Sequence, residues 1–268
     1  MSGEFVGRYG PWALVAGASE GLGEAFASAL AARKLDVILI ARRADKLAST
    51  AARIRAAHGV EVLTLAIDLS APDMAEQIAA GVAEREIGLL VYNAAFSRVG
   101  AFLDAPLADH LKTLDVNCRA PLTLVHRYGA AMRGRGRGGI VLMGSMSGLQ
   151  GSPRLASYAA SKAFARVFGE SLWGELRSTG VDVLTCVAGA TRTPGFEAVA
   201  SDTPGPVMEP REVVEQALAG LGRTPSMIPG LSNRVAAWVL GKLPRKQQVL
   251  VMGAAMKDGS GSREDGAG

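Results

Sequence analysis

Apolar residues in this chain come in short unbroken runs, separated by stretches in which they recur at helical spacing. Residues 12–16 form an apolar run that ends at Gly17, the signature of a buried strand. Leu22, Phe26, Ala29 and Leu30 then repeat with helical period. Residues 36–41 contain Val37-Ile38-Leu39-Ile40, a second strand, and Leu47, Ala51 and Ile54 mark the helix after it. Further strands are predicted over 60–67, 89–92, 140–143 and 181–187. A helix is predicted to start near Asp104 with Pro106 in its first turn, where a missing N–H costs least, and a long one over 157–178. Unbroken apolar strands alternating with helices require a parallel sheet covered on both faces. Right-handed crossovers make that sheet doubly wound. The expected fold is therefore α/β, a doubly wound Rossmann-type parallel sheet in a single domain over 1–257.

The second half of the chain reads differently. From Thr191 to Pro210 it is rich in Gly and Pro, with space for one short helix, and such stretches often serve as lids or binding loops. Two amphipathic segments follow, 233–243 and 245–257, and 191–257 is taken as a substrate loop plus a helical region. Core packing is the favoured role for the two segments. A flap over the substrate, a subunit contact and shallow membrane contact through Trp238, Leu240, Lys242, Arg245 and Lys246 are the alternatives. Residues 258–268, rich in Gly, Ser and charge, are expected to be a disordered tail.

Composition narrows the class. Of 268 residues, 49% are hydrophobic and 20% charged, which supports a large core and excludes global disorder. The net charge of +4 is spread along the chain. Its densest cluster, Arg133, Arg135 and Arg137, alternates with glycine and lacks interleaved aromatics, so a solvated loop is expected and not a nucleic-acid surface. His58, His110 and His126 have no ligand spacing, and no metal site is expected. Cys118 and Cys186 suit buried reduced thiols in a cytoplasmic protein, with no secretory leader and no apolar run long enough to span a bilayer.

The chemistry-bearing motifs fall where such a sheet places its ligands. Gly17-Ala18-Ser19-Glu20-Gly21-Leu22-Gly23 links the first strand to the first helix. Glycines there let backbone N–H groups approach a pyrophosphate, and the helix N-terminus adds favourable partial charge. Tyr158 and Lys162 are four apart and share a helix face, Ser145 lies thirteen residues before Tyr158, and Asn117 lies in the preceding helix.

The spacing G-x-x-x-G-x-G, together with Asn117, Ser145, Tyr158 and Lys162 in that order, resembles the short-chain dehydrogenase/reductase family over residues ~10–195. Ala16 stands in place of the family's threonine before the glycines, Ala95 replaces the glycine of its N-A-G segment (here Asn93-Ala94-Ala95), and Ala188 replaces the proline of P-G-x-x-x-T. The resemblance implies a dinucleotide held by Gly17, Ser19, Glu20, Gly21, Leu22 and Gly23, adenine contacts from Asp68 and Leu69, and a lining from Asn93, Ala94 and Ala95. It also implies nicotinamide contacts from Tyr158, Lys162, Gly189 and Thr193, with Thr191 a rival to Thr193. Where NAD-binding members carry an acid for the ribose hydroxyl, this chain has Ala41 followed by Arg42 and Arg43, cations suited to a 2′-phosphate. The expected cofactor is NADP(H), although Glu20 stands where many NADP-binding members carry a basic residue.

The expected reaction is carbonyl reduction, or oxidation of the matching secondary alcohol. Tyr158 is the general acid/base, its pKa lowered by the Lys162 ammonium and the positive nicotinamide. Ser145, with Ser147 as its rival, holds the substrate oxygen. Asn117 anchors a proton-relaying water, helped by Pro121, which has no N–H to offer the Asn117 carbonyl. The pocket wall is expected from 96–102, 146–152 and 191–208, including Phe96, Met146, Leu149, Phe196 and Met208, with Arg98, Arg154 and Arg192 facing solvent near its mouth. That lining suits a small, apolar carbonyl or alcohol substrate. The resemblance further implies a homodimer or homotetramer formed through the long helices. A cofactor-binding regulator would show a broken tetrad, and a nucleotide-sugar epimerase or dehydratase a longer C-terminal region.

Overall fold

A computed structural model describes residues 2–197 and 207–258. The apolar runs become strands β1 (Trp12–Ala16), β2 (Asp36–Ala41), β3 (Val62–Ala66), β4 (Ile87–Tyr92), β5 (Gly138–Ser145), β6 (Val181–Ala188) and the two-residue β7 (Ser226–Met227). All pair in parallel in the order β3-β2-β1-β4-β5-β6-β7. The order reverses direction at β1, where the chain starts in the middle and winds outward both ways. That leaves a crevice beyond the carboxyl ends of β1 and β4, the place where such sheets take ligands.

The helices are α1 (Ser2–Tyr9), α2 (Gly21–Ala32), α3 (Ala44–His58), α4 (Met74–Val82), α5 (Leu107–Leu114), α6 (Ala120–Arg135), α7 (Ala156–Leu176), α8 (Pro194–Glu197), α9 (Pro210–Gly220), α10 (Leu231–Lys242) and α11 (Arg245–Asp258). They cover both faces of the sheet, giving two cores. One joins Val15, Leu39, Leu89 and Val141 to α2, α3 and α9, and the other joins Leu14, Ile38, Leu90 and Leu142 to α4 and α6. Alternate residues of each strand thus serve opposite layers, and unbroken apolar runs are needed because neither face meets water.

Several expectations are corrected. Helix α1 was not among the expected elements. It is held by Phe5 stacked edge-on against Tyr9 and by Arg8 and Tyr9, which both bond the Asp182 carboxylate at 2.6 Å. The Gly/Arg cluster is not a free loop: Arg133 and Arg135 lie in the last turn of α6, which ends at left-handed Gly136, and Arg135 and Arg137 grip Glu86. Phe102–Asp104 is a single tight turn, and Pro106 immediately precedes α5. Cys186 is buried, but Cys118 is only half-buried.

The two C-terminal segments form helices, but not as core. Leu231, Val235, Trp238 and Val239 of α10 face outward, as do Leu250 and Val251 of α11. Helix α10 docks through buried Asn233, whose amide bonds the Pro229 carbonyl at 2.9 Å and packs on Gly189. Helix α11 lies on the 149–153 loop, with Val249 against Gly151 and Pro153 against Gly253, while Arg245 donates to the Leu149 carbonyl. Asp258, expected in the tail, closes α11. The rest of that tail, and 198–206 of the expected substrate loop, lie outside the described residues. No helix among the described residues is long and apolar enough to cross a membrane.

Candidate active site

The crevice is a cleft of about 500 Å³ lined by Gly17, Ser19, Glu20, Gly21, Leu22, Ala41, Arg42, Arg43, Asp68, Leu69, Asn93, Ala94, Ala95 and Thr193. Its floor is a turn that only glycine permits. Gly17 has φ +81°, and a Cβ there would lie 2.6 Å from the Ala94 backbone. At Gly23 an added Cβ would fall 1.9 Å from the Gly17 carbonyl oxygen. Gly23 is therefore buried in the turn and does not line the cleft; it lets α2 begin against β1. The Ile40 carbonyl accepts from Gly17 N–H, and the Ala16 carbonyl accepts from Asn93 and Ala94 N–H. The Asn93 side chain donates to the Gly17 carbonyl at 2.9 Å. With these bonds in place the turn needs no threonine at position 16.

Acids and bases ring the end of the cleft beside β2 and β3. Both Glu20 oxygens carry a cation, Arg43 at 2.6 Å and Lys46 at 2.7 Å. The Lys46 bond, outweighing the opposing effect of burial and joined by Arg43, holds the Glu20 carboxyl below its ordinary pKa. Asp68 accepts from the Ser70 N–H at 2.9 Å and its hydroxyl at 2.7 Å. Burial pushes the Asp68 pKa up, but Ser70, Lys112 and Arg42 more than offset it and the net shift is down. Lys112, which sequence reasoning missed, also lines this cleft, 3.7 Å from Asp68 and over the Phe96 ring. Arg42 lines the cleft and is in no ion pair among the described residues. Phe96, expected in the substrate wall, lines the same cleft.

At the other end, strand β5 stops at Ser145, and a tight turn returns the chain onto α7. Gly148 makes that return possible, since a Cβ there would lie 2.7 Å from the Lys162 backbone. Helical spacing then brings Tyr158 and Lys162 to the same face, beside Ser145. The Ser145 hydroxyl accepts from the Ser147 N–H at 3.2 Å and lies near enough to the Tyr158 phenol to lower its pKa. Ser145, not Ser147, thus faces the phenol. Lys162 is buried, donates to the Met143 carbonyl at 2.8 Å and sits 5.6 Å from the Tyr158 ring centre.

Burial drops the Lys162 pKa to about 8, partly offset by the nearby Cys118 thiol. Tyr158 is partly exposed as a residue, but its hydroxyl lies deep, and burial raises its pKa against the lowering effect of Ser145. In the protein without a bound dinucleotide the net shift of the phenol is therefore upward, and the Lys162 ammonium is held by the Met143 carbonyl.

Asn117 is placed by a helix irregularity. Between α5 and α6 the chain makes a wide π turn over Asp115–Arg119, with Ala120 N–H reaching back to the Asp115 carbonyl. Pro121 follows, so the Asn117 carbonyl lacks its usual i+4 donor. The Asn117 amide pairs with both backbone groups of Phe96, at 2.8 and 2.9 Å, and donates to Ser161 at 2.9 Å. A small cavity of about 10 Å³ lies between Asn117, Pro121 and Lys162. Thr193 sits over Gly21, its methyl 2.9 Å from where a Cβ would be, and lines the cleft. The rival Thr191 is buried, bonds the Gly189 carbonyl and pairs with Met208, away from the cleft. Arg98 and Arg192 are tied to Asp109 and Glu209.

A strand–glycine turn–helix cleft joined to this tetrad defines a dinucleotide-dependent oxidoreductase. Residues 11–204 match the family model for short chain dehydrogenases, and the chain belongs to that family of oxidoreductases acting on CH–OH and C=O groups. Among curated relatives, the 7β-hydroxysteroid dehydrogenase of Collinsella aerofaciens is 33% identical over 85% of this chain and 89% of its own length. A very-long-chain 3-oxoacyl-CoA reductase of Macaca fascicularis is 31% identical over 88% of this chain and 76% of that protein. Among solved structures, one from a study of 7β-hydroxysteroid dehydrogenase stereoselectivity superposes with TM-score 0.87 at 30% identity, over 92% of this chain and 98% of that one. A short-chain dehydrogenase from Sphingobium yanoikuyae in complex with NADPH superposes at TM-score 0.76 and 28% identity, over 87% and 96% of the two chains.

Proposed function

We propose that this protein is an NADP(H)-dependent oxidoreductase that reduces the carbonyl of an apolar substrate, or oxidises the matching secondary alcohol, with Tyr158 as general acid/base. The observation that carries the reading is buried Lys162 standing 5.6 Å from the Tyr158 ring centre, with Ser145 at the end of β5 acting on the same phenol. The names of the relatives, a hydroxysteroid dehydrogenase and a 3-oxoacyl-CoA reductase, suggest the class of ketone.

The cleft suits a dinucleotide because Gly17 and Gly21 line it without side chains, and Gly23 lets α2 start against the turn. Gly17, Ser19, Gly21 and Leu22 would hold the pyrophosphate over the N-terminus of α2, Asp68 and Leu69 the adenine, and Thr193 the carboxamide. Arg42, which lines the cleft and is in no ion pair among the described residues, favours the phosphorylated form. The cofactor supplies or accepts the hydride.

The remaining chemistry belongs to the chain. Ser145 and Tyr158 hold the substrate oxygen by hydrogen bonds that strengthen as it gains charge. Tyr158 gives its proton to that oxygen in reduction and takes it back in oxidation. Lys162, with a pKa of about 8, can exchange protons near neutrality. The cavity beside Asn117 is at the lower limit of room for one water, which would carry protons onward to Lys162. Exposed Leu107, Leu111, Leu122 and Val167 on α5, α6 and α7 support self-association through these helices.

Titration with NADPH and NADH, followed by nicotinamide fluorescence, tests the cofactor reading. Tighter NADPH binding supports it; tighter NADH binding refutes the phosphate assignment.

A further inference from the structure

Glu20 is the last residue before α2, and its side chain is 29% exposed at the lip of the cleft. It reaches across to the start of α3. There Arg43, the residue capping that helix, takes one carboxylate oxygen, and Lys46, in the first turn, takes the other. The same Arg43 nitrogen stands 3.5 Å from the Ser19 hydroxyl. Arg42, one residue earlier, lines the same cleft. Three cations therefore surround the end of β2, and two of them are bridged by one carboxylate. Asp45, in the same first turn of α3, is the other acid of this segment.

Ion pairs this exposed add little to stability, so the fold alone does not require the Glu20 bridge. A carboxylate held by a guanidinium and an ammonium has the donor set that a phosphate monoester takes. A phosphate brings more charge and a third oxygen. It would displace the carboxylate or share its cations.

We propose that Glu20 is an internal counter-ion in the 2′-phosphate subsite, competing with that phosphate for Arg43 and Lys46, and that Lys46 is the third cation of the subsite beside Arg42 and Arg43. The inference rests on the NADP(H) reading above. With Glu20 ionised the three cations amount to +2; without it they amount to +3. The carboxylate thus sets how sharply the protein separates phosphorylated from unphosphorylated dinucleotides. It acts on the adenosine end only, away from Tyr158 and Ser145.

Isothermal titration of the full chain with NADP+, NAD+ and adenosine 2′,5′-bisphosphate tests this on Glu20→Gln and Lys46→Met. Glu20→Gln is expected to tighten NADP+ and the bisphosphate by about five- to tenfold, the weight of one unit charge a few ångström away in a partly solvated cleft. NAD+ should stay within about twofold, because it places no charge there. Lys46→Met should weaken NADP+ and the bisphosphate by about tenfold or more and spare NAD+. If the wild type itself prefers NAD+ and ignores the bisphosphate, the cofactor reading falls and this inference with it. If the wild type prefers NADP+ but Glu20→Gln leaves its affinity unchanged or weaker, the competition is wrong while the cofactor reading stands. A Lys46→Met variant with undiminished NADP+ affinity likewise removes Lys46 from the subsite.

Discussion

Burying the Lys162 ammonium should cost the protein stability. Its pKa falls from 10.5 to about 8, with desolvation the leading cause. At about 1.4 kcal/mol per tenfold change in proton affinity, holding the charged form inside costs about 3 kcal/mol at neutral pH. Lys162→Met keeps the length of the side chain and removes the charge, but leaves the Met143 carbonyl without its donor, a loss of about 1–2 kcal/mol. The variant should therefore be inactive yet more stable than the wild type, by about 1–2 kcal/mol near neutrality.

The pH dependence follows from the depressed pKa. Below pH about 8 both folded and unfolded wild type carry the proton, and the penalty is full. Between about 8 and 10.5 the unfolded chain binds more protons than the folded one, so wild-type stability rises with pH through this group. The advantage of the variant should shrink by about 1.4 kcal/mol per pH unit across that window. Urea unfolding followed by tryptophan fluorescence at about pH 6.5 and about pH 9 measures it. A stability difference that does not move with pH, or a wild type more stable than the variant at the lower pH, would refute the buried-charge argument.

Other substitutions probe separate links. Gly23→Ala forces a methyl into the Gly17 carbonyl and should cost about 1–3 kcal/mol by overpacking, with cofactor affinity falling alongside, read by denaturant melts and fluorescence titration. Arg42→Ala should weaken NADPH about tenfold or more and NADH little, and equal losses for both would remove Arg42 from phosphate binding. Thr193→Val should raise the KM for the cofactor while Thr191→Val should not, since only Thr193 lines the cleft. Tyr9→Phe removes one bond to Asp182 and should cost about 1 kcal/mol without touching turnover, as thermal melts and initial rates would show.

What the sequence revealed depended on how local the signal was. Strands β1 to β6 announced themselves as unbroken apolar runs because both faces of the sheet are covered. Strand β7 is only Ser226–Met227, too short for any period, and pairs with β6 because Thr185 N–H reaches the Pro225 carbonyl. Helix α1 is anchored by Asp182, more than 170 residues away, a contact no window on the chain contains. That Ser145, Tyr158 and Lys162 lie together was legible because spacing along one helix and one strand end determines it, whereas Asn117 reaches them through a π turn that spacing does not show. By contrast, the pairing of Glu20 with Lys46 joins two helices across the cleft, and the placement of Lys112 depends on α5 folding over Asp68. The outward apolar faces of α10 and α11 read as core because amphipathic spacing reports that a helix has an apolar side, not which way that side faces.

The central claim is that Tyr158 supplies the proton for carbonyl reduction. NADPH consumption should be followed for wild type and Tyr158→Phe against a 7-oxo steroid and a long-chain 3-oxoacyl thioester, with cofactor binding measured on both proteins. The account predicts that one of these ketones is turned over by the wild type, and that Tyr158→Phe loses at least about a hundredfold in kcat while binding NADPH as before. A Tyr158→Phe variant that turns over at near wild-type rate would contradict it.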